Sequence, residues 1–234
     1  MKEPGTIHLR PTAPLAERVL LPGDPGRALA LAQLLIEQPK MFNHHRGLWG
    51  YSGLANLDGK PLTIQSTGMG GPSAAIVLCE LIELGARRTI RVGTCGALDP
   101  ALALGEMVIA REAIAADGTS ALLSGADRTR AHAALLQRLE ASQRSARAGT
   151  IVSSDLFYEE GLDRGASWRE QGAIAVEMEA STLFAIGERA QIEVACLLAV
   201  SDVFDASGER ARIEDRALTQ AAEAIGQVAI AALS

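Results

Sequence analysis

Apolar runs that end in glycine-rich turns and then open into helices recur along most of this chain, and that alternation restricts the fold more than any other feature. Residues 18–21 run into Pro22-Gly23-Asp24-Pro25-Gly26-Arg27, with a helix expected from Ala28 to about Glu37. Residues 62–67 run into Gly68-Met69-Gly70-Gly71-Pro72-Ser73 and a helix through about Leu84, with the proline suited to a first helical turn. Residues 89–92 lead into Gly93-Thr94-Cys95-Gly96, residues 149–152 into Ser153-Ser154-Asp155-Leu156-Phe157-Tyr158, and residues 194–200 into Ser201-Asp202. Strand, turn and helix in alternation predict an α/β fold with a central, largely parallel sheet flanked by helices. Asp58-Gly59, between strands expected at 49–57 and 62–67, is a hairpin signal, so the sheet should be mixed.

Further helices are expected at 131–141, 179–189 and 213–233. The last carries Leu218, Ala221, Ala222, Ile225, Val228, Ala229 and Ala232 on one stripe, the spacing of a buried face. No repeat, low-complexity tract or polar linker interrupts the chain, so one domain is expected over 1–234. Aromatic residues make up only 3%, which leaves the core to Ala, Leu, Val and Ile. A net charge of −6 argues against a nucleic-acid surface, which needs clustered Lys and Arg. Cys79, Cys95 and Cys196 lack the spacing of a zinc site or redox pair and read as reduced thiols of a cytoplasmic protein. No secretion signal or membrane span is expected.

Candidate chemistry sits at the ends of the apolar runs. In an open α/β sheet those ends form the ligand crevice. Val176-Glu177-Met178-Glu179-Ala180 and Val200-Ser201-Asp202 both bring carboxylates there, where a charge is costly unless it is paired or used. Backbone N–H groups at Gly23 to Arg27, ahead of a helix, offer an anion site, and the Arg27 guanidinium would add a charge-assisted contact. Arg91 lies inside an apolar strand, an expensive position unless something anionic meets it. Arg46, in His44-His45-Arg46-Gly47, is a third candidate. Each has a structural alternative: the turn as a tight connection, Glu179 as a residue favoured by a helix dipole, Met178 as packing, Asp202 as a cap, Phe157 as a plug. Three arginines beside glycine turns favour an oxyanion pocket. Asp202 in a dry pocket suits an acid, and Phe157 suits stacking on a flat heterocycle. Phosphate-loop, zinc-protease and serine-elbow motifs are missing, and His8, His44, His45 and His132 form no metal pattern.

These segments, together with Asn43-His44-His45-Arg46-Gly47 and Arg91-Val92-Gly93-Thr94-Cys95-Gly96-Ala97, resemble in order the nucleoside phosphorylase family. That family includes bacterial hexameric purine nucleoside phosphorylases, uridine phosphorylases and archaeal methylthioadenosine phosphorylases. The resemblance runs from about Ile7 to the last helix. It implies phosphate binding by Gly23, Arg27, Arg91 and Thr94, with Arg46 joining from a neighbouring subunit. Ribose is implied at Met69, Glu177, Met178 and Glu179, and at His8 of a neighbour. Phe157, Cys95, Gly96 and Ser201 match the base-binding positions. Asp202 matches the acid that protonates the purine at N7, and Arg216 is placed as its partner.

The activity implied is reversible phosphorolysis of purine nucleosides to free base and pentose 1-phosphate, with inorganic phosphate as co-substrate and no metal or organic cofactor. A homo-oligomer is implied, a hexamer built from dimers. Uridine phosphorylases carry Gln and Arg shortly after the Phe-Tyr pair; Glu159-Glu160-Gly161-Leu162-Asp163 has neither, and Ser201-Asp202 also favours purine. Methylthioadenosine or uridine phosphorolysis are the alternatives, as is a purine nucleosidase using water, which Ser201-Asp202-Val203-Phe204-Asp205 also resembles. Arg27, Arg46 and Arg91 together favour phosphate over water. A non-catalytic binding protein would be expected to lose these charged positions.

Overall fold

The computed structural model describes residues 5–158, 164–204 and 210–234. Strand β1 (Arg18–Leu21) feeds helix α1 (Pro25–Leu35), whose N-cap Asp24 accepts a hydrogen bond from the Arg27 amide at 2.6 Å. Strand β2 (Ile36–Asn43) follows directly, then a 3-10 turn at His45–Gly47 and the expected hairpin, β3 (Gly50–Ala55) and β4 (Pro61–Gln65). Next come α2 (Gly71–Leu84), β5 (Arg88–Ala97), β6 (Met107–Ala116), α3 (Gly118–Ser124), β7 (Arg128–Arg130), α4 (Ala133–Ser142) and β8 (Arg147–Ser154). The chain ends with α5 (Arg164–Glu170), β9 (Ala173–Glu177), α6 (Ala180–Ala190), β10 (Glu193–Phe204), β11 (Arg210–Arg212) and α7 (Asp215–Leu233).

The sheet is mixed. β1 runs parallel to β4 and β5, and β5 parallel to β10, while β2, β3 and β4 form an antiparallel meander. The pairings also close on themselves: β5 to β10, β10 to β6, β6 to β8, β8 to β9 and β9 back to β5. Two long strands make this closure possible. Arg88 to Cys95 of β5 pairs with β10, and its far end, Gly96 and Ala97, turns to meet β9. A register shift between Val200 and Asp202 bends β10 at the same level. Bulges of this kind re-aim side chains at barrel rims, and here they aim Ser201 and Asp202.

Strand alternation divides the core into two layers. Ala195, Leu197 and Ala199 of β10 pack with Leu31, Leu135, Ile225 and Ala229 beneath α1, α4 and α7. Val194, Cys196, Leu198 and Val200 face the opposite layer, with Leu78 of α2 and Leu183 and Phe184 of α6. Nearly all of these side chains are aliphatic, as the scarcity of aromatics required. The stripe expected on α7 is largely the face it buries, at Ala222, Ile225, Ala229 and Ala232.

The chain departs from the sequence reading in several places. Helix α1 stops at Leu35 and the chain continues as β2, Ile-Glu-Gln-Pro-Lys-Met-Phe-Asn, with only Ile36, Phe42 and Asn43 buried. It lies at the end of the strand order, carries proline and lysine, and shifts register between Glu37 and Lys40, so it shows no clean two-residue period. Residues 115–130, for which no element was expected, hold the end of β6, which extends to Ala116, and then α3 and β7. β11 was not anticipated either, and it carries Arg210, the largest change from the expected site. Among the described residues no helix is long and apolar enough to cross a membrane.

Candidate active site

One cleft of about 450 Å³ opens where β1, β5, β9 and β10 end. Every predicted position except His8, Arg46 and Arg216 lines it. Its two ends differ in chemistry.

At one end Arg91, only 4% exposed, is held between two acids. Its Nε donates to Glu177 Oε2 at 2.8 Å, and its Nη2 lies 2.5 Å from Glu179 Oε2. Glu177 is saturated, accepting also from Ser153 Oγ at 2.5 Å, the Glu179 amide at 2.9 Å and the Ala180 amide at 3.0 Å. Glu179 caps α6 and accepts from the Gly70 amide at 2.5 Å; Gly70 has φ +84°, a conformation that favours glycine. Burial works against the Arg91 charge, but Glu179 and Glu177 more than offset it and hold the guanidinium above its ordinary value. Burial raises the Glu179 carboxyl, opposed by Arg91 and reinforced by Glu177. Among the described residues one part of this cluster stays unmatched: Arg91 Nη1 is buried and has no hydrogen-bond partner. Buried donors of this kind are rare and costly.

That nitrogen faces the Gly23 turn: a Cβ built on Gly23 would lie 4.0 Å from it. The turn is fixed by backbone bonds from Thr67 N to Pro22 O (2.9 Å) and Gly68 N to Gly23 O (3.0 Å). Arg27, at the start of α1, reaches the same end of the cleft. Burial depresses its basicity, Asp24 counters this, and the nearby Arg91 charge adds to it. Two guanidiniums close enough to repel, a buried N–H without a partner among the described residues and a glycine turn before a helix suit this end of the cleft to an anion. Gly93 is required by close approach, since a Cβ there would fall 2.7 Å from Arg91 Nη2 and 2.8 Å from Cζ.

At the other end Asp202 is 6% exposed. Ser201 Oγ donates to its Oδ2 at 2.6 Å and also lies 3.2 Å from the Cys95 carbonyl. Its partner is Arg210, not Arg216 as expected: Nε and Nη2 of Arg210 both lie 2.9 Å from Asp202 Oδ1. β11 pairs antiparallel with β10 and so folds Arg210 back over the cleft, whereas Arg216 is exposed in the first turn of α7. Arg210 Cζ stands 4.7 Å from the centroid of the Phe157 ring, and Tyr158 meets that ring edge-on at 4.9 Å. Phe157 is half-exposed, and Met69 and Met178 complete an apolar wall between the two ends.

His8 and Arg46 lie elsewhere. Glu80 on α2 clamps the segment before β1, accepting from the His8 amide at 3.0 Å, the Leu9 amide at 2.6 Å and His8 Nδ1 at 2.7 Å. Arg46 is exposed, with φ +58°. Asn43 shapes its turn, accepting from the His45 amide at 3.3 Å and donating to the Leu48 carbonyl at 2.5 Å. Residues 159–163 and Asp205, which bear on base and water specificity, lie outside the described residues. Among the described residues no cluster of His, Cys, Asp and Glu could hold a metal ion, and the three cysteines are unpaired.

A cationic, glycine-lined end and an acid beside an aromatic ring, about one cleft of a mixed α/β sheet, define a class of α/β protein whose cleft is suited to an oxyanion and a flat ring together. The family model of the phosphorylase superfamily matches residues 17–234, and the chain belongs to that superfamily. The DeoD-type purine nucleoside phosphorylase of Clostridium beijerinckii is 36% identical over 223 residues, covering 92% of each chain. That of Alkaliphilus metalliredigens is 34% identical, covering 83% of this chain and 86% of its own. Among solved structures, a uridine phosphorylase from Vibrio fischeri complexed with 6-hydroxy-1-naphthoic acid superposes with a TM-score of 0.81 at 26% identity. It covers 94% of this chain and 91% of its own.

Proposed function

We propose that the chain catalyses the reversible phosphorolysis of purine nucleosides, releasing the free base and a pentose 1-phosphate. The observation that carries this reading is the Nη1 of Arg91, unpartnered among the described residues and facing the Gly23 turn with Arg27 beside it. Phosphate bridging the two guanidiniums and the glycine amides would satisfy that donor and relieve the repulsion. Glu179, already anchored by the Gly70 amide, accepts from the sugar hydroxyls; Met69 and Met178 pack on the ring of the sugar. Thr94 adds a hydroxyl to the phosphate end.

Cleavage of the glycosidic bond leaves electrons on the base and positive charge on C1′. The phosphate anion stabilises that charge and attacks, while Asp202 delivers a proton to N7 of the departing purine. Phe157, Cys95, Gly96 and Ser201 border the base. The Clostridium beijerinckii and Alkaliphilus metalliredigens relatives are purine nucleoside phosphorylases, and Ser201-Asp202 supports the same preference here. A water-using nucleosidase has no need of the Arg91 nitrogen.

His8 and Arg46, outside this chain's cleft, serve the pocket of a second copy, so the active unit is at least a dimer and, by resemblance, a hexamer. No metal or organic cofactor enters the reaction. The test is a panel of purine and pyrimidine nucleosides incubated with phosphate and followed by 31P NMR. A pentose 1-phosphate signal with purines is expected; its absence with every nucleoside would refute the proposal.

A further inference from the structure

We propose that Arg210 is a resident occupant of the base subsite, a guanidinium that an incoming purine displaces from Phe157 and that thereby sets the affinity for nucleoside. The inference rests on the purine reading above and adds a residue that the resemblance did not supply.

Arg210 lines the same cleft as Phe157 and Asp202. Its Cζ is 4.7 Å from the Phe157 centroid, the distance at which a planar group stacks on an aromatic face. A guanidinium and a purine share this mode of contact, since both are flat and delocalised, and a face holding one is closed to the other. The Tyr158 ring, set at 79° to Phe157, already occupies part of the remaining perimeter.

The acid is engaged at the same time. Arg210 takes Asp202 Oδ1 through two nitrogens at 2.9 Å, and Ser201 Oγ takes Oδ2 at 2.6 Å. Both carboxylate oxygens therefore hold a partner before any base arrives. For a ring nitrogen to reach Oδ1 while the base lies on Phe157, the guanidinium has to leave both. The element that carries it suits such a departure. β11 is three residues long, exposed throughout, and paired only with β10 among the described strands. Short exposed edge elements open at low cost. Until then, Arg210 acts as a positioning residue that holds the Asp202 side chain and the Phe157 ring in one arrangement.

The expected signature runs opposite to that of a residue that helps bind the base. In phosphorolysis of inosine and adenosine at saturating phosphate, Arg210→Ala and Arg210→Gln should lower the nucleoside KM by roughly three- to tenfold, the cost of displacing one stacked cation. Calorimetric Kd values for adenine and hypoxanthine, in phosphate-free buffer, should fall by a similar factor, while kcat falls or holds. KM and Kd values that rise or stay level in both variants would overturn the proposal and make Arg210 a support for the base. Turnover by the unmodified protein tests the phosphorolysis reading separately, since a base-affinity ratio between variant and parent is read without any reaction.

Discussion

Arg91 and Glu177 form a buried ion pair, Nε to Oε2 at 2.8 Å, that aims the rest of the guanidinium at the glycine turn after β1. The carboxylate is itself fixed by a hydroxyl and two amides, so it orients Arg91 and is not spare for substrate. Glu177→Gln keeps the shape and removes the charge. The variant should lose about 2–4 kcal/mol in urea unfolding, as expected when one member of a buried pair is neutralised. A loss below about 0.5 kcal/mol, the level of an ordinary surface change, would deny Glu177 this role.

Gly93→Ala tests the anion site without touching a charge. The added methyl collides with the Arg91 guanidinium and pushes Nη1 off its line. The KM for phosphate should rise roughly ten- to a hundredfold, the worth of one charge-assisted hydrogen bond. Steady-state titration of phosphate at saturating nucleoside reads it, and an unchanged KM contradicts it.

Asp202→Asn removes the proton donor while keeping a group that Ser201 and Arg210 can still bond. Turnover of purine nucleosides should fall by about 10²- to 10⁴-fold with little change in folding. Single-turnover base release measures the chemical step, and a rate equal to the parent's would take Asp202 out of the mechanism.

Arg46 sits at φ +58°, a conformation that costs a non-glycine residue about 1–2 kcal/mol. Arg46→Gly should therefore leave stability unchanged or slightly raised, since relief of strain offsets the greater freedom of unfolded glycine. The same variant should bind phosphate more weakly. Thermal melts and phosphate kinetics on one preparation check both halves; a clearly destabilised variant would mean that the turn needs the arginine for packing.

Asp58 is held well below the ordinary carboxylate range by its bonds to buried Arg18, at 2.7 and 2.9 Å, against a smaller penalty from burial. A depressed folded-state value means that the pair stabilises the protein above the unfolded value near 3.9 and ceases to do so as pH falls through the folded value. Asp58→Asn, which suits the same hairpin turn, should cost about 1–2 kcal/mol at pH 7, discounted for the partly exposed carboxylate. The difference should shrink toward acid. Urea unfolding at pH 7 and pH 3 checks the sign, and a gap that widens on acidification contradicts it.

The sequence made the glycine turns and the charges beside them legible because strand ends, tight turns and helix starts leave local signals. Arg27, Arg91, Thr94, Glu177, Glu179 and Asp202 all follow from that grammar and line one cleft. Arg210 does not. It lies on a three-residue exposed strand with no hydrophobic period, and Arg216 was placed by family resemblance, with a one-residue shift in the loop after Asp202. A usable signal was present: the turn-rich composition of residues 205–209 after β10, with arginines at 210 and 212, is what an antiparallel return beside Asp202 requires. β2 escaped for the related reason that a bulged edge strand reads as polar connection. Closure of the sheet between β5 and β10 depends on pairings far apart in sequence, which no local pattern encodes.

The most direct test of the central claim is purine release from inosine and adenosine followed as phosphate is raised from zero. Rates should rise from near zero and saturate in phosphate, with Arg27→Ala requiring far more phosphate to reach the same fraction of its maximum. Full base release in phosphate-free buffer would contradict the account, because the two guanidiniums and the Gly23 turn would then have no anion to gather.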